Sequence, residues 1–208
     1  GRVEREFAAA LPSAVIYVYD NHSTDATLRE ARAAGAIVRT ETRRGKGHVV
    51  CRMFADIDAD VYLMVDGDGT YDASSAPEMV QRLQAEQLDM VSGARVTTVA
   101  EAYRRGHVLG NRLLTGLVAW LFGNRFSDLL SGYRVFSRRF VKSFPAMIVG
   151  FETETAFAVH ALELRMPVAE IPTPYGERPQ GSTSKLRTYR DGLRILKTIV
   201  RLLLEERP

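Results

Sequence analysis

Val61-Tyr62-Leu63-Met64-Val65-Asp66-Gly67-Asp68-Gly69-Thr70 is an apolar run that stops abruptly at two aspartates separated by one glycine. Such a run reads as a buried parallel strand that delivers acid groups to the carboxyl edge of a sheet, where open α/β folds bind their ligands. Two carboxylates held this close repel each other, and a divalent cation relieves the repulsion. An oxygen-only donor set suits a hard ion, Mg2+ or Mn2+, that keeps positions open for phosphate oxygens. The same spacing also fits a polar turn between strand and helix, with Asp72 or Ser74 capping the helix that follows. On the stretch alone both readings stay open.

Upstream of it, strands alternate with helices. A helix over 47–58 follows the turn Arg43-Arg44-Gly45-Lys46-Gly47, and a short strand is expected at 36–39. A helix over 26–34 ends at Gly35, a good residue for leaving a helix. Ahead of it, a strand at 14–19 runs into the polar loop Asp20-Asn21-His22-Ser23-Thr24-Asp25-Ala26-Thr27. There Ser23 or Thr24 can cap the helix and Asp25 favours its first turn. Val3, Phe7 and Leu11 share one helical face. Downstream, a helix near 74–86 leads to a strand at 89–92. The alternation implies an α/β fold: a mostly parallel sheet flanked by helices, in a single domain over 1–208. A doubly wound sheet opens on a strand, whereas this chain opens on a helix. One strand with its loop, about 20 residues, is therefore expected before Gly1 in the native protein.

The second half is less regular. The run 113–122 is apolar on nearly every side and reads as a buried helix or one lying in a membrane interface, with Trp120 as its anchor. A helix is expected over 155–165 and a strand over 168–171, ended by Pro172. Gly181-Ser182-Thr183-Ser184 opens a long helix to about residue 206, whose start carries Lys185 and Arg187 and forms an anion site. Arg190, Arg194, Lys197 and Arg201 recur beside Leu193, Leu196, Ile199, Val200 and Leu203. That pattern fits a membrane surface or docking face, and equally a solvated edge over a core stripe. Residues 103–123 and 184–207 are thus the candidate acceptor- or membrane-facing helices.

The 208 residues suffice for one α/β domain with a sizeable core. A formal net charge of +3 is too small for a dedicated nucleic-acid binder but suits a protein that meets phosphates or an anionic membrane surface. The single cysteine, Cys51, rules out an internal disulfide framework and fits a reducing compartment; its neighbours place it in the core. No apolar run reaches the roughly 18–20 residues that span a bilayer. The expected location is the cytoplasm, extending to the inner face of the membrane.

Taken in order, these pieces resemble a family 2 glycosyltransferase of the Rossmann-like GT-A fold, and within it the dolichol-phosphate mannose synthase type of polyprenyl-phosphate glycosyltransferase. The residues that carry the likeness are the 20–27 loop, Gly45-Lys46-Gly47, Asp66-Gly67-Asp68, Asp128 with Ser131-Gly132-Tyr133-Arg134, Phe151-Glu152-Thr153-Glu154, and Ser184-Lys185. The resemblance implies that Asp20, Asn21, Ser23 and Asp25 read the base and ribose, with Lys46 near the base or phosphates. It implies that Asp66 faces the ribose and sugar and contributes to the metal site, and that Asp68 ligates the Mg2+ or Mn2+ bridging the diphosphate. Thr70 stands where related enzymes place a third polar ligand.

The implied reaction is an inverting transfer from a nucleotide-sugar, of GDP-mannose or UDP-glucose type, to a polyprenyl or dolichyl phosphate. Lys185 and Arg187 would stabilise the leaving group together with the metal. A lipid phosphate is already largely ionised near neutrality, since its second pKa is about 6, so no strong base is required. Asp128 would then orient the acceptor or stabilise the ring charge, while Arg134 and Arg112 hold the acceptor phosphate. A sugar hydroxyl would need a base, from Asp128, Glu152 or Glu154. Asp128 and Arg134 can alternatively form a salt-bridged loop clamp. The competing functions are a soluble family 2 transferase acting on a glycan or small-molecule hydroxyl, a non-catalytic nucleotide-sugar-binding module, and a nucleotidyltransferase.

Overall fold

The computed structural model describes residues 1–96, 116, 126–145 and 153–177. Its elements are α1 (Arg2–Ala10), β1 (Tyr17–Asp20), α2 (Thr27–Ala33), β2 (Ile37–Thr40), α3 (Lys46–Asp56), β3 (Val61–Met64), a 3-10 turn (Ala73–Ser75), α4 (Ala76–Ala85), β4 (Met90–Val96), β5 (Arg134–Ser137), α5 (Arg138–Ser143), α6 (Thr153–Glu163) and β6 (Val168–Pro174). Every element expected within these residues is present, and β5 and α5 are additions.

The strands form two ladders. β1 and β2 pair in parallel, and the second ladder has the order β3-β5-β4-β6. β4 and β6 are parallel, as are β1 and β2, while β5 runs antiparallel to both β3 and β4 and makes this second ladder mixed. The reason lies in where β5 begins. Arg134 stands opposite Met64 and Ser92, so the chain enters β5 at the edge where β3 ends and must run away from it. This places the 126–133 loop beside the turn that follows β3. Among the described residues β1 and β3 each pair on one side only, and side chains link the ladders: Ile16, Val61 and Leu63 pack against the same apolar cluster.

Alternation along the strands divides the core between two faces. Met90 and Phe136 join Val50, Phe140 and Phe157 on one side, while Val91 and Val135 join Phe7, Met79, Leu83 and Ile171 on the other. α6 is buried from Thr153 through Ala161, mostly small or apolar residues with Glu154 and His160 among them. Cys51 is half-buried. β6 continues past Pro172 because it is the last strand of its ladder, where an N–H is not needed on the outer side. Asp72 caps the turn after β3 by accepting from the Ser74 N–H at 3.2 Å. α2 is capped differently from expectation: the Asp25 carboxylate accepts from the Thr27 N–H at 3.0 Å, and neither Ser23 nor Thr24 supplies a side-chain cap. Among the described residues no helix is long and apolar enough to cross a membrane. The expected helices at 103–123 (Gly116 apart) and 184–207 lie outside the described residues.

Candidate active site

Asp66 leaves the end of β3 half-exposed and is held from two directions. Lys46 Nζ, from the first turn of α3, donates to Asp66 Oδ1 at 2.6 Å and also to Glu154 Oε1 in the first turn of α6. Gly45, with φ of 129°, turns the chain into α3 in a conformation that side-chain-bearing residues rarely adopt. Burial works against the charge on Lys46, but the carboxylates of Glu154 and Asp66 outweigh it and hold the ammonium well above the ordinary lysine range.

On its other side Asp66 lies against Gly132, where a Cβ would collide with the carboxylate. The rest of the Ser131-Gly132-Tyr133 stretch fixes that turn. Ser131 Oγ donates to Gly93 O at 2.5 Å and accepts from the Tyr133 N–H at 3.2 Å, and the Gly132 N–H donates to the Tyr71 hydroxyl at 2.7 Å. Asp68 is oriented by its own turn: its Oδ1 accepts from Thr70 Oγ1 at 2.6 Å and from the Thr70 N–H at 3.2 Å.

Among the described residues no three His, Cys, Asp or Glu side chains converge as a metal cage. Asp66 and Asp68 are oxygen donors suited to Mg2+ or Mn2+, but they are too few to enclose the ion. The residues therefore fit a metal whose remaining positions are completed by a ligand's oxygens, as diphosphates do.

The loop after β1 is locked to the loop before α3. Asn21 Nδ2 donates to Glu41 O and Arg43 O, both at 2.8 Å, and Asn21 Oδ1 accepts from the Gly45 N–H at 2.9 Å. This corrects the expectation that Asn21 reads a nucleotide, because its amide is committed to the backbone. It acts one step removed, by placing Gly45 and hence Lys46. Asp20 is buried and accepts from the Ser23 N–H at 3.0 Å, while Ser23 and Asp25 are exposed.

Asp128 and Arg134 do not pair. Asp128 is buried and clamped by Arg95, with Nε to Oδ2 at 2.6 Å and Nη2 to Oδ1 at 2.8 Å, and it also accepts from the Arg95 N–H at 3.2 Å. Glu170 on β6 secures the same loop by accepting from the Ser127 and Asp128 N–H groups at 2.8 and 3.1 Å. The expectation that Arg134 holds an acceptor phosphate is overturned. Its guanidinium has no exposed surface, donates to Ser131 O at 3.1 Å and Leu129 O at 2.7 Å, and lies over the Phe157 ring. Burial pulls its pKa down, with Glu154 and Asp128 opposing.

Tyr71 connects the two acid regions. Burial pushes its phenol pKa up, Arg95 opposes, and Asp66 adds to the rise. Lys185, Arg187 and Arg112 lie outside the described residues. The structure thus gathers Lys46, Asp66, Glu154 and Gly132 in direct contact, with Asp68 one turn further on. Glu154 entered the sequence reading only as a base, and its acidic stretch was its signal. Arg95 and Glu170 were missed because no motif marks them.

The glycosyl transferase family 2 model matches residues 10–144. Protein RfbJ of Shigella flexneri is 55% identical over 107 residues, 51% of this chain and 83% of that protein. Glycosyltransferase AglJ of Haloferax volcanii is 38% identical across 85% of this chain, which spans only 59% of AglJ. A dolichyl-phosphate hexose transferase of the same organism is 30% identical over 89% of this chain and 79% of its own. The fold matches the crystal structure of Mycobacterium tuberculosis glucosyl-3-phosphoglycerate synthase in complex with Mn2+, UDP and glucosyl-3-phosphoglycerate, with a TM-score of 0.75 and 22% identity over 96% of this chain and 74% of that one. The mixed α/β architecture with an Asp-x-Asp turn at the end of β3 is therefore that of a GT-A transferase, and the chain belongs to glycosyl transferase family 2.

Proposed function

We propose that this family 2 glycosyltransferase moves a hexose, with inversion, from a nucleotide-sugar to a polyprenyl or dolichyl phosphate. The observation that carries the reading is the Asp66-Gly67-Asp68 turn, where Thr70 aims Asp68 and Lys46 and Gly132 pin Asp66. The lipid acceptor is supported by the likeness to a dolichyl-phosphate hexose transferase over most of the chain. The donor is of GDP-mannose or UDP-glucose type.

Asp68, with Asp66, would hold a Mg2+ or Mn2+, which when bound supplies positive charge to the departing diphosphate. Asp20, Ser23 and Asp25 face the nucleoside, and Lys185 and Arg187 add charge at the diphosphate. Asp128, fixed by Arg95, shapes the acceptor side. Both of its oxygens are engaged, which suits an acceptor phosphate that arrives already ionised and needs no proton removed. Membrane association at the inner face would run through 103–123 and 184–207.

The test is a panel of UDP- and GDP-sugars with Mn2+, read by thermal shift, followed by nucleotide release on adding polyprenyl phosphate or a glycan. One donor class should stabilise the protein only with metal, and lipid phosphate should trigger release. Release with hydroxyl acceptors alone would overturn the acceptor assignment. Asp68→Ala should weaken metal-dependent donor binding about 100-fold or more, and an unchanged titration would refute the metal site.

A further inference from the structure

The donor site carries a cation of its own. Lys46 Nζ sits between Asp66 and Glu154, so the carboxylate at the end of β3 shares a built-in cation with a second acid. Asp68 is the other acid of the turn, and among the described residues no third His, Cys, Asp or Glu joins them. A divalent ion arriving alone would have to displace an ammonium from Asp66 and, among the described residues, would find only the Asp68 carboxylate beside it. A nucleotide diphosphate changes both conditions, because it brings oxygens for the ion and an alternative partner for the ammonium.

We infer that Lys46 is the resident counter-ion of the donor site, withholding Asp66 from Mg2+ or Mn2+ until a nucleotide diphosphate arrives. Glu154 is the positioning residue that makes the exchange affordable. When Asp66 turns to the incoming ligand, Glu154 keeps the ammonium paired, so no uncompensated charge is left in a half-buried place. Gly132 leaves no Cβ against the Asp66 carboxylate and Asn21 anchors Gly45, so the lysine and its acid meet in a built geometry rather than by a surface encounter. The inference rests on the metal–diphosphate reading of the Asp66-Gly67-Asp68 turn.

Mn2+ is the probe, with the free ion followed by electron paramagnetic resonance, first without nucleotide and then with UDP or GDP. The wild-type chain should bind Mn2+ weakly alone and at least about tenfold more tightly with one of the nucleotides. Lys46→Met should bind Mn2+ without nucleotide about tenfold more tightly than the wild type, since an opposing positive charge has been removed. Glu154→Gln should keep nucleotide-free binding weak and shrink the nucleotide-dependent gain.

If the wild type gains nothing from either nucleotide, the metal–diphosphate site itself is refuted. If the gain is present but folded Lys46→Met binds free Mn2+ no better than the wild type, only the counter-ion is refuted. Circular dichroism checks the fold of each variant. Should Lys46→Met not fold, the wild-type measurement still decides, because nucleotide-free affinity on the order of 10 µM overturns the proposal and millimolar affinity supports it.

Discussion

Asp128 and Asp66 stand at the same edge of the sheet with opposite surroundings. The Asp128 side chain is 7% exposed and gives both oxygens to the planar fork of Arg95, whereas Asp66 is 38% exposed and shares one oxygen with the ammonium of Lys46. A guanidinium fork fixes angle as well as distance, while an ammonium is a point charge on a flexible stem that leaves its partner free to turn. Asp128 is therefore held in a fixed orientation, while Asp66 keeps one oxygen and more of its surface open. Two aspartates that look alike in sequence are separated in role by the kind of cation each was given.

The contrast can be broken most forcefully at Arg95. Arg95→Ala removes the guanidinium from a buried carboxylate, and urea melts should show a loss of about 3 kcal/mol. Loss of well under 1 kcal/mol would mean that Asp128 is far less fixed than its geometry indicates. On the other side, Gly132→Ala crowds Asp66 with a methyl group that has no room. A stability loss of about 1–3 kcal/mol is expected, accompanied by weaker metal-dependent donor binding in titration.

The smallest effect is expected within α6, which carries both Glu154 and His160. His160 is packed between Phe140 and Phe144 with Ser143 Oγ at 3.0 Å, and burial holds its pKa below the ordinary histidine value. The unfolded chain therefore takes up the proton more readily than the folded one. The stability this gives is complete above the unfolded histidine pKa of about 6.5 and falls as pH drops below it, by at most about 1.4 kcal/mol per pH unit. Urea melts of the wild type and His160→Gln between pH 5 and 7.5 should differ in slope in that direction. Equal slopes would show that His160 does not contribute.

The strands that end in polar loops were legible because a buried run followed by acids and glycines is a local pattern. β5 was not. Arg134-Val135-Phe136-Ser137 is only four residues long, opens on an arginine, and takes its meaning from neighbours on both sides. Pro172 misled for a related reason: whether a proline ends a strand depends on which edge its missing N–H faces. The chemistry divides in the same way. Asp66, Asp68 and Lys46 could be named from their turns, but the partnership of Lys46 with Glu154 spans 108 positions and that of Arg95 with Asp128 spans 33. Arg134 lies in a motif and was read as a ligand-facing cation, because sequence shows a charge without showing which way it points.

Arg134 has a further consequence, for the order in which the chain assembles. Its guanidinium loses water only once the 129–131 carbonyls have been brought round to meet it and Phe157 of α6 lies against it. Before that, moving β5 between β3 and β4 would strand a charge in apolar surroundings, at a cost of several kcal/mol. The antiparallel strand, the turn that seats Asp66 and the helix that carries Glu154 are thereby bound to one closing event. A chain that has formed β3 and β4 but not this turn gains little by inserting β5 early. The 126–133 loop, which seats Asp66 through Gly132, is thus coupled through one arginine to the packing of β5 against α6.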